Sequence, residues 1–256
     1  MKSTLNNFLF VLIFLFPFNL GAQYYKAANY TKNGDSLPYR FLLPENYSHN
    51  QKYPLLIFLH GAGERGDDNE LQLFHGSNLF LDKKFREKHP AIIVFPQCPK
   101  GSYWATIIDR PEPLKFQYSK SPKNNPILSL VEGIIDDFIE KYKVDKQRIY
   151  IGGLSMGGMG TFEMVYRNPR TFAAAFAICG GANPKISKRI RHTSWRIDHG
   201  DRDNVVPIIH SELMYKAMKE EKIDVIFKIH KGVNHNSWDN VFSDSDFIPW
   251  LFSKSK

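Results

Sequence analysis

Short apolar runs alternate with stretches of helical spacing along most of this chain. Residues 24–30 and 37–43 are strand-like and flank Lys32-Asn33-Gly34-Asp35, and Asn-Gly between two such runs predicts an antiparallel hairpin. Pro44 ends the second strand. Residues 53–59 are almost wholly apolar, as expected of a strand covered on both faces. Further short apolar runs lie at 91–95, 148–151, 173–178, 195–198 and 225–229. The clearest helix is 127–142, where Ile127, Val131, Ile134, Ile135, Phe138 and Tyr142 fall on one face after the starter Asn125-Pro126. Other helices are expected at 156–166, at 206–220 with Pro207 in its first turn, and at 237–252. Strands alternating with helices of this length predict an α/β fold: a mostly parallel central sheet of about eight strands, an antiparallel hairpin at its start, and helices on both faces.

Two segments fit neither period. Residues 96–125 carry Pro99, Pro111, Pro113 and Pro122 together with Tyr103, Trp104, Phe116 and Tyr118. A loop of this length in a compact domain is usually functional or disordered, and it follows a strand on the side where open sheets bind ligands. The first residues combine Lys2, an apolar block at 8–18 and the small residues Gly21 and Ala22. That pattern predicts a cleaved signal peptide over 1–22, with 23–256 as one domain in a secreted or periplasmic location. No later stretch is long enough to span a membrane, so no stable insertion is expected after cleavage.

Composition changes this picture little. The chain has 256 residues, 43% hydrophobic, enough for a sizeable core in one domain. Its net charge is +8, and loss of Lys2 with the signal leaves it basic. The basic residues are scattered, with one loose cluster at 185–191, so a solvated face is expected and no nucleic-acid partner. Cys98 and Cys179 follow strands that are not neighbours in this topology, so both are expected as unpaired, buried thiols. Neither has the spacing of a metal or redox site, and no metal or cofactor is implied.

Candidate chemistry begins at Gly153-Leu154-Ser155-Met156-Gly157, a serine between two glycines directly after an apolar run. The pentapeptide also occurs as a helix cap in glycine-rich loops. A strand before it and a helical pattern after it point instead to a nucleophile elbow, with the Met156 N–H facing a developing oxyanion. A serine nucleophile needs a histidine base oriented by an acid, and in this type of sheet the order is serine, acid, histidine. Downstream histidines are His192, His199, His210, His230 and His235. His210 falls inside a helical pattern and His230 ends a strand, so a structural or solvent-facing role suits each. His235 sits in a loop after the last strand. Asp201 and Asp203 both lie in the loop leaving 195–198; Asp201 could hold the turn, and Asp203 could cap the next helix. His60-Gly61-Ala62-Gly63 follows the 53–59 strand, where a second oxyanion donor belongs. His60 precedes the serine, which sets it apart from a base.

These motifs together resemble the α/β-hydrolase superfamily: His60 to Gly66, Pro96-Gln97-Cys98-Pro99 with Trp104, the elbow through Gly158, His199-Gly200-Asp201-Arg202-Asp203-Asn204-Val205-Val206-Pro207, and His235-Asn236-Ser237-Trp238. Within it the chain is similar to bacterial secreted esterases related to polyhydroxybutyrate depolymerases and feruloyl esterases, often labelled predicted peptidases of the prolyl oligopeptidase clan. The resemblance implies Ser155 as nucleophile, Asp203 as acid, His235 as base, and the N–H groups of Ala62 and Met156 as oxyanion donors, with Gly63 the alternative to Ala62. It also implies a small-molecule or polysaccharide ester substrate, with acetyl or feruloyl esters favoured by export. Tyr103, Trp104 and Trp238 are the expected aromatic platforms. A peptidase acting on short peptides would use the same residues, but its clan usually adds a large gating domain. A non-catalytic carbohydrate-binding protein is the remaining reading, and it predicts a broken motif. The oligomeric state is not legible.

Overall fold

The computed structural model describes residues 22–109, 114–116, 118 and 125–256; the expected signal peptide lies almost wholly outside the described residues. Strands β1 (Lys26–Lys32) and β2 (Asp35–Leu42) form the antiparallel hairpin, closed by Asn33 and Gly34, both with positive φ. Strand β3 (Tyr53–Leu59) is buried along its whole length. After α1 (Lys83–Lys88) come β4 (Ile92–Pro96) and a two-stranded ribbon, β5 (Ile107–Asp109) and β6 (Lys115–Phe116), inside the long proline-rich segment. Then follow α2 (Pro126–Lys141), β7 (Val144–Leu154), α3 (Met156–Arg167), β8 (Ala174–Ile178), β9 (Ser194–Gly200), α4 (Ile209–Glu220), β10 (Val225–His230), α5 (Trp238–Phe242) and α6 (Phe247–Phe252).

The eight-stranded sheet has the order β1-β2-β4-β3-β7-β8-β9-β10. From β4 onward every pairing is parallel; β2 joins β4 antiparallel. Alternation along β3 explains why the sheet is covered twice. Leu55, Ile57 and Leu59 enter one core with Val131, Ile134 and Phe138 of α2 and Phe162 of α3. Leu56 and Phe58 enter the other with Phe85 of α1, Val241 of α5 and Leu251 of α6. Register then sets the site. Leu59 pairs with Gly153, Leu154 with Ile178, and Ile178 with Asp198, so the carboxyl ends of β3, β7, β8 and β9 lie level. The loops leaving these ends meet above the sheet.

Two helices differ from expectation. The helix expected from 206 starts at Ile209, and the one expected over 237–252 is two short helices, α5 and α6. Between them Asp244 turns inward to accept hydrogen bonds from Arg196 Nη2 and Lys228 Nζ, each at 2.6 Å. Pro249 lacks an N–H, which a first turn tolerates and a continuous helix does not, so it favours a new start. Cys98 and Cys179 are both free and buried. No helix among the described residues is long and apolar enough to cross a membrane.

Candidate active site

Strand β7 runs into α3 through Ser155, whose φ of 52° and ψ of −116° form a strained turn rare for a residue with a side chain. Its N–H donates to Ile178 O at 2.8 Å, and its carbonyl accepts from Met159 N at 3.0 Å. A Cβ at Gly153 or Gly157 would collide with the Leu59 carbonyl, so only glycine lets the elbow close against β3. The half-buried Ser155 hydroxyl then stands above the sheet.

The loops after β9 and β10 bring the two partners to it. Asp201 accepts from Gly232 N at 2.6 Å, and Asn234 Oδ1 accepts from Asn204 N at 3.1 Å and His235 N at 2.8 Å. So tied, the loops place His235 Nε2 2.9 Å from Ser155 Oγ and Nδ1 2.7 Å from Asp203 Oδ2. Asp201 therefore holds the turn, and Asp203 carries the contact to the imidazole.

Asp203 is buried and fully engaged. Oδ1 accepts from the N–H groups of Val205 and Val206, each at 2.9 Å, and Oδ2 also lies 3.1 Å from His199 Nε2. Burial pushes its carboxyl up, but hydrogen bonds from His199, His235, Val206 and Val205 outweigh this and hold it well below the usual carboxylate range. His199 was legible only as one of several downstream histidines. Its position was the available signal: it follows Trp195 and Ile197 at strand period and precedes Asp203 by one helical turn. Nε2 faces Asp203 Oδ2 and Val206 O, both acceptors, so this nitrogen carries a proton; Nδ1 lies 2.7 Å from Ser211 Oγ.

The turn after β3 lies against the serine. A methyl group on Gly61 would sit 3.8 Å from Ser155 Cβ. Ala62 follows in a single 3-10 turn, Ala62–Glu64, braced by Arg65 Nε donating to Ala62 O at 2.9 Å and Arg65 Nη1 donating to Ser102 O at 3.3 Å. Met156 opens α3 and is fully buried. Met156 thus directly follows Ser155, and the turn that carries Ala62 begins at Gly61 beside it.

One of the three expected aromatic platforms needs correction. Trp104 is 0% exposed: it packs over Gly160 and donates from Nε1 to His60 O at 3.2 Å, so it presents no face to a ligand. Tyr103 is half-buried, its hydroxyl 3.7 Å from Met159 Sδ. Trp238 is half-buried and lies edge-on to His235, ring centroids 5.5 Å apart. Three other histidines hold structural contacts. His60 Nδ1 donates to Gly61 O and Nε2 accepts from Cys98 N; His210 Nε2 accepts from Leu114 N; His230 Nε2 lies 3.0 Å from Asp198 Oδ1.

Cys179, Asp203 and His235 each offer a metal-binding atom within 4.8 Å of the others. Asp203 and His235 are already paired, and burial pushes the Cys179 thiol far above its ordinary range, which disfavours the thiolate a metal needs.

Comparison with known proteins bears on the fold and the family. The profile of the phospholipase/carboxylesterase family matches residues 46–249. The chain is 28% identical over 201 residues to lysophospholipase-like protein 1 of Mus musculus, covering 70% of this chain and 79% of the mouse protein. It is 30% identical over 180 residues to a bifunctional acetylxylan esterase/xylanase, XynS20E, of Neocallimastix patriciarum, covering 70% of this chain and 23% of that protein. A crystal structure of a thermostable esterase superposes with a TM-score of 0.83 at 34% identity, over 93% of this chain and 64% of the esterase chain. With an elbow serine, the fold of its esterase relatives and the family profile over most of its length, the chain belongs to the phospholipase/carboxylesterase family of α/β-hydrolases.

Proposed function

We propose that the protein is an exported serine hydrolase that cleaves carboxylic esters through a covalent acyl-enzyme. One observation carries this reading: the unbroken chain Ser155 Oγ, His235 Nε2, His235 Nδ1 and Asp203 Oδ2, with links of 2.9 and 2.7 Å, built on a strained strand-to-helix turn. Ser155 Oγ attacks the ester carbonyl while His235 Nε2 takes its proton. Asp203 keeps the second proton on Nδ1 and stabilises the imidazolium. The N–H groups of Met156 and of Ala62 or Gly63 receive the oxyanion. On collapse, Nε2 returns the proton to the leaving alcohol, and water, activated by the same imidazole, releases the acid.

Acetyl or feruloyl esters on polysaccharide are the favoured substrates. The acetylxylan esterase relative supports this choice, as does the N-terminal sequence pattern of an exported protein. Ser155→Ala is expected to lower p-nitrophenyl acetate hydrolysis by about three or more orders of magnitude and to abolish labelling by a fluorophosphonate. Full activity in that variant, or faster turnover of a peptide anilide than of the ester by the wild type, would reject the reading.

A further inference from the structure

The proton returned by His235 Nε2 goes to the leaving alkoxide, so the alcohol part of an ester must lie on the His235 side of Ser155. A run of aromatic rings leads away from His235. Trp238 meets His235 edge-on, His75 packs on Trp238 with centroids 4.9 Å apart, and Phe74 stands at right angles to His75 at 4.7 Å. Beyond His75 a surface cleft of about 300 Å³ opens, lined by Phe74, His75, Asn78, Asp239, Phe242 and Ser243. Its floor belongs to the core, because Phe242 packs on Phe58 of β3. Its rim does not: Phe74 is 58% exposed, and Asn78, Asp239 and Ser243 are exposed beside it.

This lining has the chemistry of a sugar site. A pyranose presents an apolar C–H face that suits an aromatic ring, and a rim of hydroxyls that needs carboxylate, amide and hydroxyl partners. Phe74 supplies the first. Asp239 and Asn78 supply the second, with the Asp239 carboxylate steadied by Asn236 Nδ2 at 3.1 Å and its helix turn by Ser243 Oγ on Asp239 O at 2.8 Å. We propose that this cleft is the subsite for the alcohol part of the substrate and takes a pyranose ring of an oligosaccharide, a proposal that rests on the esterase reading above. It moves the sugar contact from the buried Trp104 to Phe74, a residue no motif singled out.

Two measurements test it. The first compares kcat/KM for an acetylated xylo-oligosaccharide with that for vinyl acetate, whose two-carbon alcohol part carries no ring to place in the cleft. Phe74→Ala is expected to lower this ratio by about tenfold, mainly through KM, the scale of one lost aromatic contact. Asp239→Asn should lower it in the same direction. The second is calorimetric titration of the wild-type protein with xylotetraose, expected to show binding that weakens by about tenfold in Phe74→Ala. An unchanged ratio in both variants overturns the proposal, as does wild-type protein that binds no xylotetraose. The titration needs no turnover, so the two readings fail separately. Sugar binding without ester hydrolysis keeps the cleft and removes the esterase; hydrolysis of p-nitrophenyl acetate without sugar binding does the reverse.

Discussion

Asp203 Oδ2 serves two imidazoles, and this shared oxygen is where single residues matter most. The His235 imidazole must stay in line with Ser155, and what orients it is a carboxylate held on both oxygens. Two backbone N–H groups hold Oδ1, and His199, wholly buried, donates to Oδ2 at 3.1 Å. His199 touches no substrate in the proposed reaction and acts as a positioning residue. His199→Phe removes one hydrogen bond to a charged group, a loss of about 1.5–3 kcal/mol in typical cases, so kcat should fall by roughly ten- to a hundredfold with KM little changed. His199→Gln, whose amide can donate to Asp203, should recover part of that loss. Steady-state kinetics on p-nitrophenyl acetate with thermal melts of both variants decide the matter: equal kcat in Phe and Gln variants of equal stability would show that His199 only fills space.

Regular elements follow local periodicity closely, because β3 and α2 satisfy their own backbone and need only a covered face. Departures arise where a distant side chain captures a backbone group. The start of α4 slips to Ile209 because Asp203 takes the Val205 and Val206 N–H groups and His199 the Val206 carbonyl. Ser155, Asp203 and His235 were legible because each follows the end of a predicted strand. The burial of Trp104 was not, since it depends on the missing side chain of Gly160 in a helix far along the chain. The same long segment is pinned at another point: Thr106 N and Oγ1 donate to the two carboxyl oxygens of Glu163 on α3, at 2.6 and 2.9 Å. Burial pushes this carboxyl up to about 7 against those hydrogen bonds, so the pair sits in a poorly solvated place where a lost partner is costly. Glu163→Ala should therefore loosen the segment and speed tryptic cleavage at Lys115 several-fold, roughly the effect of about 1 kcal/mol on local opening, with Glu163→Gln close to wild type. Mass-spectrometric time courses would show it; identical cleavage rates in the Ala variant would mean the segment is held elsewhere.

Across the whole molecule, one imidazole joins the carboxyl ends of β3 and β4 beneath the proposed oxyanion turn. His60 Nδ1 donates to Gly61 O, Nε2 accepts from Cys98 N at 2.9 Å, and the His60 carbonyl accepts from Trp104 Nε1. Only the neutral ring, protonated on Nδ1, makes both side-chain bonds, because an imidazolium would turn a donor against the Cys98 N–H. Burial pushes the His60 pKa from 6.5 down to about 4. The unfolded chain thus takes up this proton at higher pH than the folded protein does. Stability from His60 is complete above pH about 6.5 and is lost as the pH falls toward about 4, a window worth about 3 kcal/mol. Melting temperature measured from pH 7.5 to 4.5 should fall steeply in the wild type. His60→Gln, which has no proton to take up, should start lower and fall less. Parallel curves for the two proteins would assign the acid sensitivity to other groups and leave His60 a packing residue.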